Sequence, residues 1–153
     1  MKRVLIIISA LLITLSAKGQ DYERAVSARL GTSIGASYKQ FLTAGAAFEA
    51  MGSIDIIGKD DRKMTLSAYG EYHYNLGVDG LSVFGGPGAS FGLYVAGKYK
   101  DGAVLSIDLI SGIEYKLPDY PFILAFDWNP QFQMVTNAGI KPANFGLSLR
   151  YTF

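Results

Sequence analysis

The chain has 153 residues, a formal net charge of +1, no cysteine, and only 18% charged against 50% hydrophobic residues. That length suits one domain, and the near-zero charge gives no field to attract nucleic acid or acidic surfaces, so no nucleic-acid partner is expected. Without cysteine there is no disulfide framework, no thiolate metal site and no lipid-modified N-terminal cysteine.

Residues 1–19 read as a signal peptide. Lys2 and Arg3 supply the positive start, Val4 to Leu15 the apolar stretch, and Ala17-Lys18-Gly19 the small residues of a cleavage site. Gln20 is then the first residue of a mature segment covering 20–153. No later stretch approaches the ~20 apolar residues of a spanning helix, so a membrane location would require a barrel.

Residues 25–38 alternate cleanly. Val26, Ala28, Leu30, Thr32, Ile34, Ala36 and Tyr38 share one parity; Ser27, Arg29, Gly31, Ser33, Gly35 and Ser37 share the other. A helix would spread the glycines and serines over every side, whereas a strand sorts them onto one face. Lys39 to Leu42 reads as a short turn. Residues 43–57 repeat the pattern, with Phe48, Ala50, Ile54 and Ile56 opposite Glu49, Ser53 and Asp55, and Met51 as the exception. Gly58 to Lys63 forms a charged loop. Residues 64–75 set Met64, Leu66, Ala68, Tyr72 and Tyr74 against Ser67, Tyr69, Glu71 and His73, before an Asp79-Gly80 turn signal.

Residues 81–97 alternate too, with Pro87 inside the run, which predicts a bulge or local break there. Asp101-Gly102 marks the next turn. Residues 103–117 place Leu105, Ile107, Leu109, Ile113 and Tyr115 opposite Ser106, Asp108, Glu114 and Lys116. A tight turn at Pro118–Pro121 leads to residues 122–135, where Phe122, Leu124, Phe126, Trp128 and Phe132 oppose Ala125, Asp127, Asn129, Gln131 and Gln133. Thr136 to Pro142 reads as a loop. The last ten residues carry Phe145, Leu147, Leu149, Tyr151 and Phe153 on one parity and Asn144, Gly146, Ser148, Arg150 and Thr152 on the other.

The charges decide between a soluble and a membrane barrel. Arg29, Glu49, Glu71, Asp108, Glu114, Asp127 and Arg150 all lie on the small-and-polar parity, and none lies on the apolar one. One lysine or arginine facing mid-bilayer lipid would cost about 2–4 kcal/mol, so lipid explains that absence. A lipocalin-type barrel would turn its polar face to water and fill it with lysine, glutamate and threonine; here that face is mainly glycine, serine and alanine. The predicted fold is all-β, an antiparallel up-and-down transmembrane β-barrel whose charged residues form a network in the lumen. Seven runs are legible, but single-chain bacterial barrels have an even strand number, so eight are expected. The missing strand would come from Gln20–Arg24 or from a run split by an internal proline, the Pro87 run first.

The turns near 39–42, 76–80 and 118–121 and the chain end should share one side. Aromatics gather there on the lipid parity: Tyr38 with nearby Phe41, Tyr72, Tyr74, Tyr115, Phe122, Tyr151 and Phe153. They form an expected interfacial belt, assigned to the periplasmic side.

The mature segment resembles the small outer-membrane β-barrel families grouped with outer-membrane proteins X and W. The resemblance rests on the signal peptide, strands ending in aromatics, Gly-Ile-Glu-Tyr-Lys-Leu-Pro at 112–118, Ala-Phe-Asp-Trp-Asn-Pro at 125–130, and the final Gly-Leu-Ser-Leu-Arg-Tyr-Thr-Phe. Tyr151 and Phe153 are similar to the C-terminal assembly signal of such barrels. The resemblance implies the cell outer membrane, contact with its lipid, and barrel-insertion machinery as an assembly partner. It implies no single activity, because the fold serves many. Short loops depart from members with long protruding strands and argue against a dedicated adhesin.

Candidate chemistry is sparse. His73 has Glu71 on its face, as a hydrolase would need, but Ser67 is six residues away, roughly 20 Å along a strand. The lumen carboxylates outnumber Arg29, Arg150 and Lys116, which would suit a cation path or an interior ion-pair network. Glu114 and Asp127 should be diagonal neighbours, so one of them is expected to hold its proton near neutral pH. Gly85-Gly-Pro-Gly88 lacks the lysine and helix of a phosphate loop. No metal cluster and no cofactor motif is present. The functional expectation is a non-enzymatic outer-membrane barrel with a side-chain-filled polar lumen, serving envelope integrity or surface interaction. A narrow channel for small polar or cationic solutes is the alternative, and a lipid-modifying enzyme a third.

Overall fold

A computed structural model describes residues 22–57 and 60–153; the expected signal peptide lies outside them. Ten strand segments follow in order: β1 (Arg24–Gly31), β2 (Ser33–Phe41), β3 (Ala46–Asp55), β4 (Arg62–Asn75), β5 (Leu81–Ala96), β6 (Ala103–Lys116), β7 (Phe122–Trp128), β8 (Gln131–Val135), β9 (Gly139–Lys141) and β10 (Phe145–Thr152). Every pairing is antiparallel, and β1 with β10 and β5 with β6 complete a closed sheet. β7 and β8 both lie on β6, parted by Asn129 and Pro130, because proline cannot donate to the ladder. β9 pairs with β8 while β10 pairs with β7, so these too are halves of one crossing. The result is an up-and-down barrel of eight crossings.

The eighth strand comes from neither expected source. The 25–38 run is itself a hairpin: Leu30 pairs with Ile34, and the chain reverses through Gly31, Thr32 and Ser33. Three residues between paired partners preserve the alternation, so the parity runs through the turn unbroken. Thr32 sits at the turn, not on the lipid face. Gly31 is required there, since a β-carbon would fall 2.0 Å from the Phe145 carbonyl oxygen. The Pro87 run does not split: β5 is continuous, Pro87 stands opposite Leu109, and only the ladder to β4 lapses at Gly70 and Glu71.

The barrel is inside out relative to a soluble protein. Leu30, Leu109 and Leu147 point outward, 61%, 58% and 64% exposed, while Arg150, Glu49 and His73 are buried within. Lys39 and Phe41, expected in a turn, belong to β2, and the turn lies at 42–45. Lys63, expected in the charged loop, belongs to β4 and is buried. Part of the expected 136–142 loop forms β9.

Both ends of the chain's described part lie at one end of the barrel. Phe153 N–H donates to Arg24 O at 3.0 Å, Phe41 N–H to Glu23 O at 2.9 Å, and Thr152 N–H to Pro121 O at 2.9 Å. Tyr38, Tyr72, Tyr74, Tyr115, Tyr151 and Phe153 are exposed on the outer surface here. Phe122 is half-buried against Tyr151, ring centroids 5.6 Å apart. Phe41 departs from the belt and turns into the barrel mouth, since its parity is that of Lys39. A second outward aromatic group lies toward the other end, where Phe126, Phe145 and Trp128 stack and Trp128 Nε1 donates to Pro142 O at 2.7 Å.

Candidate lumen site

β2, β3, β4, β6 and β10 each send one or two charged side chains into the lumen near the terminal end. Lys39 is at the centre. Its Nζ lies 3.0 Å from Glu49, 2.6 Å from Glu71 and 3.9 Å from Glu114. Arg150 donates to both oxygens of Glu49 at 3.0 Å, and Ser37 donates to the same carboxylate. His73 joins the cluster through both ring nitrogens, Nε2 at 3.0 Å from Glu71 and Nδ1 at 3.3 Å from Glu114. A buried charge stripped of its partner is unstable by several kcal/mol, so this set is mutually dependent.

Aromatic rings close the mouth over it. Tyr22 meets Phe41 edge-on at 5.0 Å, Phe41 meets His73 at 4.8 Å, and His73 stacks on Phe84 at 5.2 Å. Lys39 Nζ lies 4.4 Å from the Phe84 ring centre, a cation–π contact. Tyr22 also donates to Glu114 at 3.1 Å. Burial, then the neighbouring Glu114 carboxylate, push the Tyr22 hydroxyl above its ordinary pKa, so it stays a donor.

Farther in, the lumen is not polar throughout. Met51, Tyr69, Phe84, Ile110 and Ala125 form a buried apolar cluster. Beyond it lies a hydroxyl chain: Ser67 and Ser90 hydroxyls are 2.6 Å apart, and Ser90 donates to Asp108. Asn129 donates to the Tyr69 hydroxyl at 2.7 Å. Arg29 donates to Asp127 at 2.6 Å and to Ser33 at 2.7 Å. Toward the loop end Lys63 donates to Gln131 at 2.6 Å. Above it opens a cavity of about 300 Å³, bordered by Asp55, Asp61, Tyr94, Lys141 and Asn144 among others.

All seven residues expected in the lumen network are buried inside, but not as one network. Glu49, Glu71, Glu114 and Arg150 meet around Lys39; Arg29 and Asp127 form their own pair; Asp108 stands apart. Glu114 and Asp127 are diagonal in register, yet they turn to different partners, Glu114 to His73 and Asp127 to Arg29. The excess of carboxylates over cations shrinks, because Lys39 and Lys63 are also inside while Lys116 is only half-buried. Lys39 was hidden by its nearness to a turn. Phe84 was hidden by standing on the polar parity, two residues from both Ser82 and Gly86.

Among the described residues no serine joins His73 in a hydrolytic arrangement: its polar contacts go to Glu71, Glu114 and Lys39, while Ser67 bonds Ser90. Among the described residues no group of three or more metal-ligating His, Cys, Asp or Glu side chains occurs.

A closed antiparallel barrel with an apolar exterior and a charged, packed interior defines the small transmembrane-barrel architecture. Solved structures share it, among them the following two. The N-terminal β-barrel domain of Pseudomonas aeruginosa OprF superposes with a TM-score of 0.61 at 16% identity, over 89% of this chain and 100% of that one. Neisserial surface protein A gives 0.58 at 9% identity, over 85% of this chain and 93% of the other. At these identities the likeness is one of fold. No protein-family model and no curated protein matches the sequence.

Proposed function

We propose that this chain is a non-enzymatic outer-membrane barrel, of the kind grouped with outer-membrane proteins X and W, that contributes to envelope integrity or surface interaction. In this reading residues 1–19 direct export, barrel-insertion machinery receives the end carrying Tyr151 and Phe153, and the terminal end faces the periplasm. The likeness of fold to OprF and neisserial surface protein A supports the setting. The observation that carries the reading is the filled lumen: an ion cluster around fully shielded Lys39, backed by the apolar cluster of Met51, Tyr69, Phe84, Ile110 and Ala125. Eight strands leave room for side chains and little else, and an apolar constriction opposes ion passage.

Planar-bilayer recording tests it. The purified chain should give no discrete current steps. The channel reading has the polar vestibule at the loop end in its favour, and regular steps with cation preference would replace the plugged barrel with that reading.

A further inference from the structure

The cavity of about 300 Å³ at the loop end is bordered by charges of both signs. Asp55, Asp61, Lys63 and Lys141 all line it, and their charges cancel. A simple anion meets two carboxylates there and a simple cation meets two ammonium groups. A molecule carrying both signs can be matched at each end.

Two of these charges stand beside each other without touching. Ile54 pairs with Met64 across β3 and β4, so Asp55 and Lys63 are the next residues along the facing strands, both on the inward parity. Lys63, with Arg29, acts on Asp55 through space. Yet Lys63, only 7% exposed, reaches across to β8, to Gln131 at 2.6 Å and Gln133 at 3.4 Å. Both acceptors are neutral amides, and an ammonium has a third proton to donate. Among the described residues Lys63 has no ion-pair partner, and Asp55 has neither an ion pair nor a hydrogen bond. Buried charges are ordinarily paired.

The same cavity has an apolar rim. Ile57 and Ile140 border it and are 68% and 71% exposed. Its floor is closed by fully buried Gln133, which donates to the Tyr94 hydroxyl at 3.0 Å. The volume is at the small end of ligand sites. We propose that this cavity binds a free aliphatic α-amino acid. The ligand carboxylate accepts from Lys63, its ammonium donates to Asp55, and its side chain shields Ile57 and Ile140 from water. The inference goes beyond the plugged-barrel reading and requires no passage through the lumen.

Isothermal titration of the full chain, folded in detergent, with L-leucine is the test, micelles alone serving as the blank. Wild type should bind L-leucine saturably. Leucinamide, which lacks the carboxylate, and N-acetyl-L-leucine, which lacks the ammonium, should each bind about tenfold more weakly, since each leaves one charge of the site unpaired. Asp55→Asn should no longer distinguish L-leucine from N-acetyl-L-leucine, and Lys63→Met should no longer distinguish it from leucinamide. Should Lys63→Met not give the folded gel band, Asp55→Asn carries the test alone. A wild type without saturable binding overturns the site. So do analogues that bind as well as L-leucine, or variants that keep the wild-type preference. Bilayer recording reads the plug separately, so failure of this site is distinguishable from failure of that reading.

Discussion

The Lys39 ammonium lies 2.6 Å from the Glu71 carboxylate, and neither side chain is exposed to solvent. This contact knits β2 to β4 across the lumen, with β3 between them contributing Glu49 to the same ammonium. Removing Lys39 leaves buried carboxylates facing one another. Lys39→Met should therefore cost about 3–5 kcal/mol in urea unfolding measured by the gel band shift. Lys141, at the loop-end vestibule, should tolerate the same change within about 0.5 kcal/mol.

Tyr22 predicts an alkaline effect. Its hydroxyl is held above the ordinary tyrosine value by burial and by Glu114, so the folded state resists its ionisation. The stabilisation is complete below the unfolded pKa of ~10, and it is lost as pH rises above that, because only the unfolded chain then releases the proton. Wild type should lose stability between pH 10 and 11 faster than Tyr22→Phe. Parallel pH curves for the two chains would refute the assignment.

Gly112 sits where β6 passes Phe84 and β7. A β-carbon there would fall 2.4 Å from Phe126 O and 2.6 Å from the Phe84 ring. Gly112→Ala should destabilise the barrel by about 1–3 kcal/mol through overpacking. It should do so less in a Phe84→Leu background, where the ring no longer crowds the site. A double-mutant cycle on the same unfolding curves measures that coupling.

Leu109 lies near the middle of β6 and is 58% exposed on the outer face. In a bilayer, Leu109→Arg should cost about 2–4 kcal/mol, and the same change at Tyr74, near the terminal rim, about 0–1 kcal/mol. Unfolding in lipid vesicles checks the depth dependence. Equal costs at the two positions would mean the outer face does not meet hydrocarbon.

The inward and outward faces were legible residue by residue, because a strand's period of two is written directly in the sequence. Arg29, Asp127 and Arg150 needed no tertiary information to be assigned to the interior. The strand count was less legible. The turn at Thr32 preserves parity, so nothing in the alternation marks it, while Pro87, a conspicuous breaker, is absorbed within β5. Lys39, Lys63 and Phe41 were misread because a charged or aromatic residue beside a turn has the same local pattern whether its strand stops or continues by two residues.

Alternation, glycine content and charge parity in this chain are enough to dictate a barrel with a greasy outside and a charged inside, since each is a local property of neighbouring residues. Which charges meet is another matter. Among the described residues Lys39 finds Glu71, Arg150 finds Glu49, and Asp108 finds no cation, because those partners stand on different strands and their heights in the lumen follow from register and closure. Only the closed sheet fixes those heights.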